Sequence, residues 1–122
     1  MTKIAIIEDD HTISQMYRMK FESDGYDVQV AENGKVGIQL VEDWAPDIVL
    51  LDLMMPEMNG DESLREIRSK DWGKTVPIII LTNMGKEEAP RELEALNVSD
   101  YIVKAEMTPR QVVDKVKRVL GL

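Results

Sequence analysis

The 122-residue chain has no cysteine and a single histidine, His11. Without thiols there is no disulfide framework, no thiolate nucleophile, no cysteine-ligated zinc and no iron–sulfur cluster. One histidine excludes a multi-histidine metal centre within one chain. Aromatic residues make up 5%; Trp44 and Trp72 stand by helix or loop ends and read as packing residues, not as a base-stacking platform. Positive charge is scarce, with 15 Lys plus Arg against 23 Asp plus Glu and a formal net charge of −8. Phosphates would be repelled, so no direct DNA binding is expected. No apolar run approaches the ~18–20 residues needed to span a bilayer. The run after Met1-Thr2-Lys3 is too short and interrupted for a secretory signal. A cytoplasmic chain without a membrane partner is the expectation. Its length suits one domain over 1–122, with no output domain, because domains run at about 100–200 residues. At 43% hydrophobic residues it can build a core without covalent or metal staples.

Four short apolar runs stand out: Ile4–Ile7, Ile48–Leu51, Ile78–Leu81 and Tyr101–Val103. They are uninterrupted and rich in β-branched residues, as strands covered on both faces are. Val28–Ala31 alternates as an edge strand does. The segments between have helical period. Ile13, Met16, Tyr17 and Phe21 mark a first helix, ended by Gly25. Asn33 caps a second, which carries Val36, Leu40 and Val41 and stops before Pro46. Leu64 and Ile67 mark a third. Ala89, Leu93 and Leu96 mark a fourth, with Pro90 in its first turn. Thr108 and Pro109 open a fifth, whose buried stripe is Val112, Val116, Val119 and Leu120. Five strand–helix units in succession predict an α/β fold: a doubly wound, five-stranded parallel sheet with right-handed crossovers.

In such sheets ligands bind outside the carboxyl ends of the strands. The first run ends in Glu8-Asp9-Asp10, and the others end in Asp52, Thr82 and Lys104. Each ending alone has an ordinary explanation: Asp and Thr cap helices or form turns, and Lys extends to water. Together they are harder to dismiss. Gathering Glu8, Asp9 and Asp52 costs free energy unless a cation or proton relieves it. Hard oxygen donors with room for water suit Mg²⁺. Lys104 and Thr82 add positive charge and a hydrogen-bond donor for an anion beside the metal. The set calls for a phosphoryl group, and a carboxylate such as Asp52 can itself be the nucleophile, giving an aspartyl phosphate.

The segments Ile6–Asp10, Leu50–Gly60, Ile80–Thr82 and Tyr101–Lys104 resemble the motifs of bacterial response-regulator receiver domains, the CheY-like family. The match runs in register along essentially the whole chain, and Asp52–Gly60 is its most specific part. The resemblance implies the flavodoxin-like strand order 2-1-3-4-5 and phosphorelay signal transduction in a two-component system. The chain would be a phosphoacceptor switch that assists its own phosphorylation and dephosphorylation, not a turnover enzyme. Asp52 would accept phosphate from a histidine kinase or histidine phosphotransfer protein. Asp9 and Asp52 would bind Mg²⁺, with Mn²⁺ able to substitute; Met54 would add its backbone carbonyl and Glu8 would act through a metal-bound water. Lys104 would pair with the phosphoryl oxygens. Thr82 would swing its hydroxyl to the phosphate, and Tyr101 would be the switch aromatic that turns inward with it. The face of the fourth helix, fifth strand and fifth helix, around Tyr101, would meet a downstream protein target, the chain being a monomer or a phosphorylation-dependent dimer. Pro56 and Gly60 would shape the loop after Asp52 through a fixed φ and a permissive residue.

The chain departs from the family pattern in two respects. Ala105 stands where most receivers have proline after the lysine. A non-proline cis bond costs about 2.5–4 kcal/mol against roughly 0.5–1 for X-Pro, so a trans bond and an altered loop are expected. Met54 and Met84 follow Asp52 and Thr82 by two residues and cannot orient a water, which predicts slow self-dephosphorylation; both are placed at the rim of the site and Met55 in the core. His11 reads as a solvated surface residue. A flavodoxin-type electron carrier is disfavoured because Glu8-Asp9-Asp10 would repel the FMN phosphate. A metal-dependent phosphatase would need a general acid where Leu53 and Met54 stand. A docking module indifferent to phosphorylation would have no use for the intact acidic set.

Overall fold

Strands covered on both faces have no polar side to alternate with, and the sheet is built accordingly. The computed structural model describes residues 1–122. Five strands, β1 (Lys3–Ile7), β2 (Asp27–Ala31), β3 (Ile48–Leu51), β4 (Ile78–Thr82) and β5 (Asp100–Val103), pair in parallel in the order β2-β1-β3-β4-β5. Every residue of β3 and β4 is buried, whereas edge strand β2 buries only some of its positions. The α-helices are α1 (His11–Ser23), α2 (Gly34–Trp44), α3 (Gly60–Ser69) and α4 (Pro109–Leu120).

Successive strand residues serve opposite cores, as the pleat requires. Ile4, Ile6, Ile48, Leu50, Ile79 and Ile102 meet Tyr17 and Phe21 of α1 and Val112, Val113 and Val116 of α4. Ala5, Ile7, Val49, Leu51 and Ile80 meet Val41 of α2 and Leu64 and Ile67 of α3, with Trp44 and Trp72 packed at the margin. Caps start the helices promptly after the strands. Asp10 Oδ1 accepts from Ile13 N at 3.0 Å and Asn33 Oδ1 from Val36 N at 2.9 Å. Thr108 and Gln111 form a reciprocal capping box, at 3.2 and 2.8 Å. Each cap contributes about 1 kcal/mol.

The fourth predicted helix is not an α-helix. The chain there makes two 3-10 turns, Lys86–Glu88 and Arg91–Leu93, so the sheet is wound by four α-helices. Leu93 is nonetheless buried, with Ala89 and Leu96 packed beside it, so the apolar stripe faces where its period places it. Both ends of the segment limit its length. Pro90 is extended, and Asn97 is left-handed at φ 59°. Only Arg91–Leu96 lies between them, well under the ~12–15 residues at which helix becomes marginal without tertiary support. Support comes from α3 instead. The Arg68 guanidinium donates to Leu96 O at 2.9 Å, Asn97 O at 3.1 Å, Gly73 O at 3.0 Å and Val76 O at 2.8 Å. Burial lowers its pKa. Arg65, one turn earlier, pairs with Glu92 and, at 3.5 Å, with Asp61. After β5 the Lys104–Ala105 bond is trans, as expected for a non-proline residue.

Substituting Arg68→Met leaves four carbonyls without their donor. Urea unfolding is expected to show a loss of about 2–4 kcal/mol, with amide exchange accelerated most over 91–98. Unchanged exchange there would contradict the tethering role.

Candidate phosphoryl-transfer site

The site forms because parallel strands end together. Asp52 N donates to Ile7 O at 3.0 Å and Glu8 N to Ala31 O at 2.9 Å, which extends the ladder by one residue and sets Glu8 and Asp52 side by side. β4 lies next to β3 and ends in Thr82; β5 lies beyond it and is followed by Lys104. The Lys104 side chain crosses the end of β4. Its Nζ donates to Asp52 Oδ2 at 3.2 Å and to Glu8 Oε1. Glu8 and Asp52 are each 5% exposed, while Asp9 faces solvent. One carboxylate oxygen from each of the three lies within 4.8 Å of the others.

Two buried acids against one buried base leave an excess of negative charge. Burial pushes Glu8 up to about 7, helped by the Asp52 charge, although the hydrogen bond from Lys104 opposes the rise. For Lys104 burial alone would lower the pKa, but the Glu8 hydrogen bond and the charges of Asp52 and Glu8 outweigh it and hold it above its ordinary value. Such a donor set fits a hard divalent cation: three carboxylates, one open to water, with a single ammonium to offset them.

The loop from Asp52 to α3 is tightly folded. Asp52 Oδ1 accepts from Met54 N at 3.1 Å and Gly60 N donates to Leu53 O at 3.1 Å. The expectation that Gly60 supplies a permissive φ is corrected here. The left-handed residue is Glu57, at φ 67°. Gly60 is needed for close approach, because a Cβ there would lie 2.1 Å from Asp52 O.

Thr82 is fully buried, and its Oγ1 accepts from Met84 N at 3.3 Å; it is not bonded to Asp52. The half-buried Tyr101 donates its hydroxyl to Met84 O at 2.8 Å, so both residues meet the backbone of Met84. Burial raises the Tyr101 pKa, with Glu88, Asp52 and Glu87 adding negative charge. Met54 is exposed, Met84 half-buried and Met55 buried. Asp10, next to the acids in sequence, caps α1 and donates its N–H to Glu8 Oε2 at 3.1 Å. His11 is exposed at the start of α1.

One neighbour carried no chemical signal in the sequence. Tyr17 of α1 is buried, and its phenol lies within electrostatic reach of Lys104 and Glu8. With Asn83, Lys104 and Ala105 it lines a 270 Å³ pocket. Its place on the apolar stripe of α1 hid this contact.

Glu8 takes up a proton near pH 7 in the folded chain and near 4.5 when unfolded. Its protonated form therefore favours folding fully below the unfolded value, and that contribution is lost as pH rises through the folded one. Urea unfolding in chelator is expected to show higher stability at about pH 5.5 than at about pH 8, with Glu8→Gln flattening the difference. A wild-type profile flat across that window would contradict the burial of an excess acid.

The response regulator receiver domain profile matches residues 4–117. The transcriptional regulatory protein ResD of Bacillus subtilis is 40% identical over 119 residues, covering 98% of this chain and 48% of its own. The phosphate regulon transcriptional regulatory protein PhoB of Rhizobium meliloti is 32% identical over 120 residues, covering 98% of this chain and 52% of its own. The chain thus spans about half the length of these curated relatives. Among solved structures, the chemotaxis protein CheY4 of Vibrio cholerae superposes with a TM-score of 0.89 at 27% identity over 98% of both chains. The BeF3-activated receiver domain of Klebsiella pneumoniae RstA gives 0.88 at 26%, over 99% of this chain and 100% of that one. With the strand order, the acidic pocket and these likenesses in agreement, the chain belongs to the response regulator receiver domain family.

Proposed function

We propose that this chain is the phosphoryl-accepting switch of a two-component pathway, taking a phosphoryl group onto Asp52 from a histidine kinase or histidine phosphotransfer protein in a Mg²⁺-dependent reaction. The observation that carries this reading is the Lys104 ammonium bridging Glu8 and Asp52 at the carboxyl end of the sheet, beside Asp9 and Thr82. Asp9 and Asp52 would hold the ion directly, Met54 through its backbone carbonyl and Glu8 through a water, with Mn²⁺ able to substitute. The ion supplies positive charge for the carboxylates and the incoming phosphoryl oxygens.

The chain's own residues do the rest. An Asp52 carboxylate oxygen attacks phosphorus, the bond to the donor imidazole breaks, and its electron pair leaves with the donor. Lys104, already on Asp52, turns its charge to a phosphoryl oxygen. The Thr82 hydroxyl is held by one long bond from Met84 N, at 3.3 Å, and gives it up at little cost to donate to the phosphoryl group. Tyr101 is tied to the same residue, so movement at Met84 reaches β5 and shifts a pre-existing equilibrium. β5, α4 and the 3-10 segment before β5 then form the face for a downstream protein, in a monomer or a phosphorylation-dependent dimer. The chain is a substrate that assists its own phosphorylation and hydrolysis. No helix is long and apolar enough to cross a membrane, and we place the reaction in the cytoplasm. With a charge of −8 this domain is assigned no DNA contact of its own.

Intact mass after treatment with acetyl phosphate tests the assignment. Wild type is expected to gain one phosphoryl group in Mg²⁺ and none in chelator, and Asp52→Asn to gain none in either. The group is expected to persist well beyond seconds, because Met54 and Met84 offer water no hydrogen bond. Addition that survives Asp52→Asn or needs no metal would overturn the reading.

A further inference from the structure

Sulfur gathers between the two loops that follow Asp52 and Thr82. Of the chain's 8 methionines, Met54, Met55 and Met84 line one 470 Å³ pocket between the loop after Asp52 and the loop after Thr82. Backbone bonds anchor two of them to the reacting groups: Met54 N to Asp52 Oδ1 at 3.1 Å and Met84 N to Thr82 Oγ1 at 3.3 Å. Met55 is sealed in the core, but Met54 is 55% exposed. The most accessible thioether of the pocket therefore belongs to the residue whose backbone holds the phosphoacceptor.

We propose that Met54 is a redox modification site, oxidised by hydroperoxides to the sulfoxide, and that this oxidation shortens the life of the phosphoryl group on Asp52. The proposal rests on the reading of Asp52 as phosphoacceptor. The sulfur takes one oxygen from the hydroperoxide as the O–O bond breaks. Sulfur is oxidised by two electrons, and the peroxide is reduced to an alcohol or, for hydrogen peroxide, to water. Methionine sulfoxide reductases reverse the change. A thioether offers an attacking water almost nothing, since its sulfur is a weak acceptor. A sulfoxide oxygen is a strong one. On a residue whose backbone N–H is bonded to the Asp52 carboxylate at 3.1 Å, it accepts a hydrogen bond from water and turns the water's lone pair toward phosphorus. Oxidation would thus convert a long-lived switch into a short-lived one with no change at the acids themselves.

The test follows phosphoryl loss by intact mass, after acetyl phosphate and Mg²⁺ loading, in chain treated or not with hydrogen peroxide, with sulfoxides located by peptide mapping. Met19 of α1, 69% exposed and outside this pocket, is the control. Treated wild type and Met19→Leu are expected to lose the group roughly three- to tenfold faster, the worth of one net hydrogen bond made in the transition state. Treatment with both methionine sulfoxide reductases is expected to restore the lifetime. In Met54→Leu, treated and untreated decay should coincide, whatever their common value. Three results would overturn the proposal: Met54 mapped as sulfoxide with an unshortened lifetime, acceleration that persists in Met54→Leu, or Met54 unreacted where Met19 is oxidised. If untreated wild type takes up no phosphoryl group, the phosphoacceptor reading fails and the proposal goes with it.

Discussion

A single ammonium stands between two buried carboxylates. Lys104 bonds Glu8 and Asp52 where water is nearly excluded, and Asp9 adds a third acid within reach. Buried charges are tolerated when paired and become costly when one sign is in excess. Here the imbalance is built in, and it shows as a glutamate pushed up to about 7. A site arranged only for the stability of the isolated chain would have matched its charges. This one leaves an acidic cluster that could hold a metal ion.

The sheet makes that imbalance possible. Parallel strands deliver all their carboxyl ends to one edge, and prompt caps keep the following loops short, so polar side chains have nowhere else to go. Asp10 illustrates the economy: its side chain starts α1 while its N–H steadies Glu8. On the other side of the pocket, Gly60 lets α3 begin against the backbone of Asp52, which fixes Asp52 by close packing. Met84 then joins the site to the surface, since Thr82 and Tyr101 both hold its backbone.

Much of this is legible in the sequence. Uninterrupted β-branched runs mark doubly covered strands whatever their partners, and the parallel topology brings the residues ending those runs to one edge of the sheet. Asn33 and Thr108 act as the caps their positions suggest. What was not legible depends on contacts distant in the chain. The apolar spacing of Ala89, Leu93 and Leu96 is helical, but the breaks at Pro90 and Asn97 leave too short a segment, and its tether comes from Arg68 on α3. Gly60 reads as a turn glycine until its neighbours are seen. Tyr17 looks like one more core residue because period reports burial and is silent on what lies beside a buried hydroxyl.

The measurement that bears most directly on the charge imbalance is thermal unfolding of wild type and Asp9→Asn in chelator and in Mg²⁺, with ionic strength matched by monovalent salt to remove simple screening. Binding to the folded state alone stabilises it by mass action. Mg²⁺ is expected to raise the wild-type midpoint by several degrees and that of Asp9→Asn by clearly less. Identical wild-type midpoints in chelator and in Mg²⁺ would contradict that expectation.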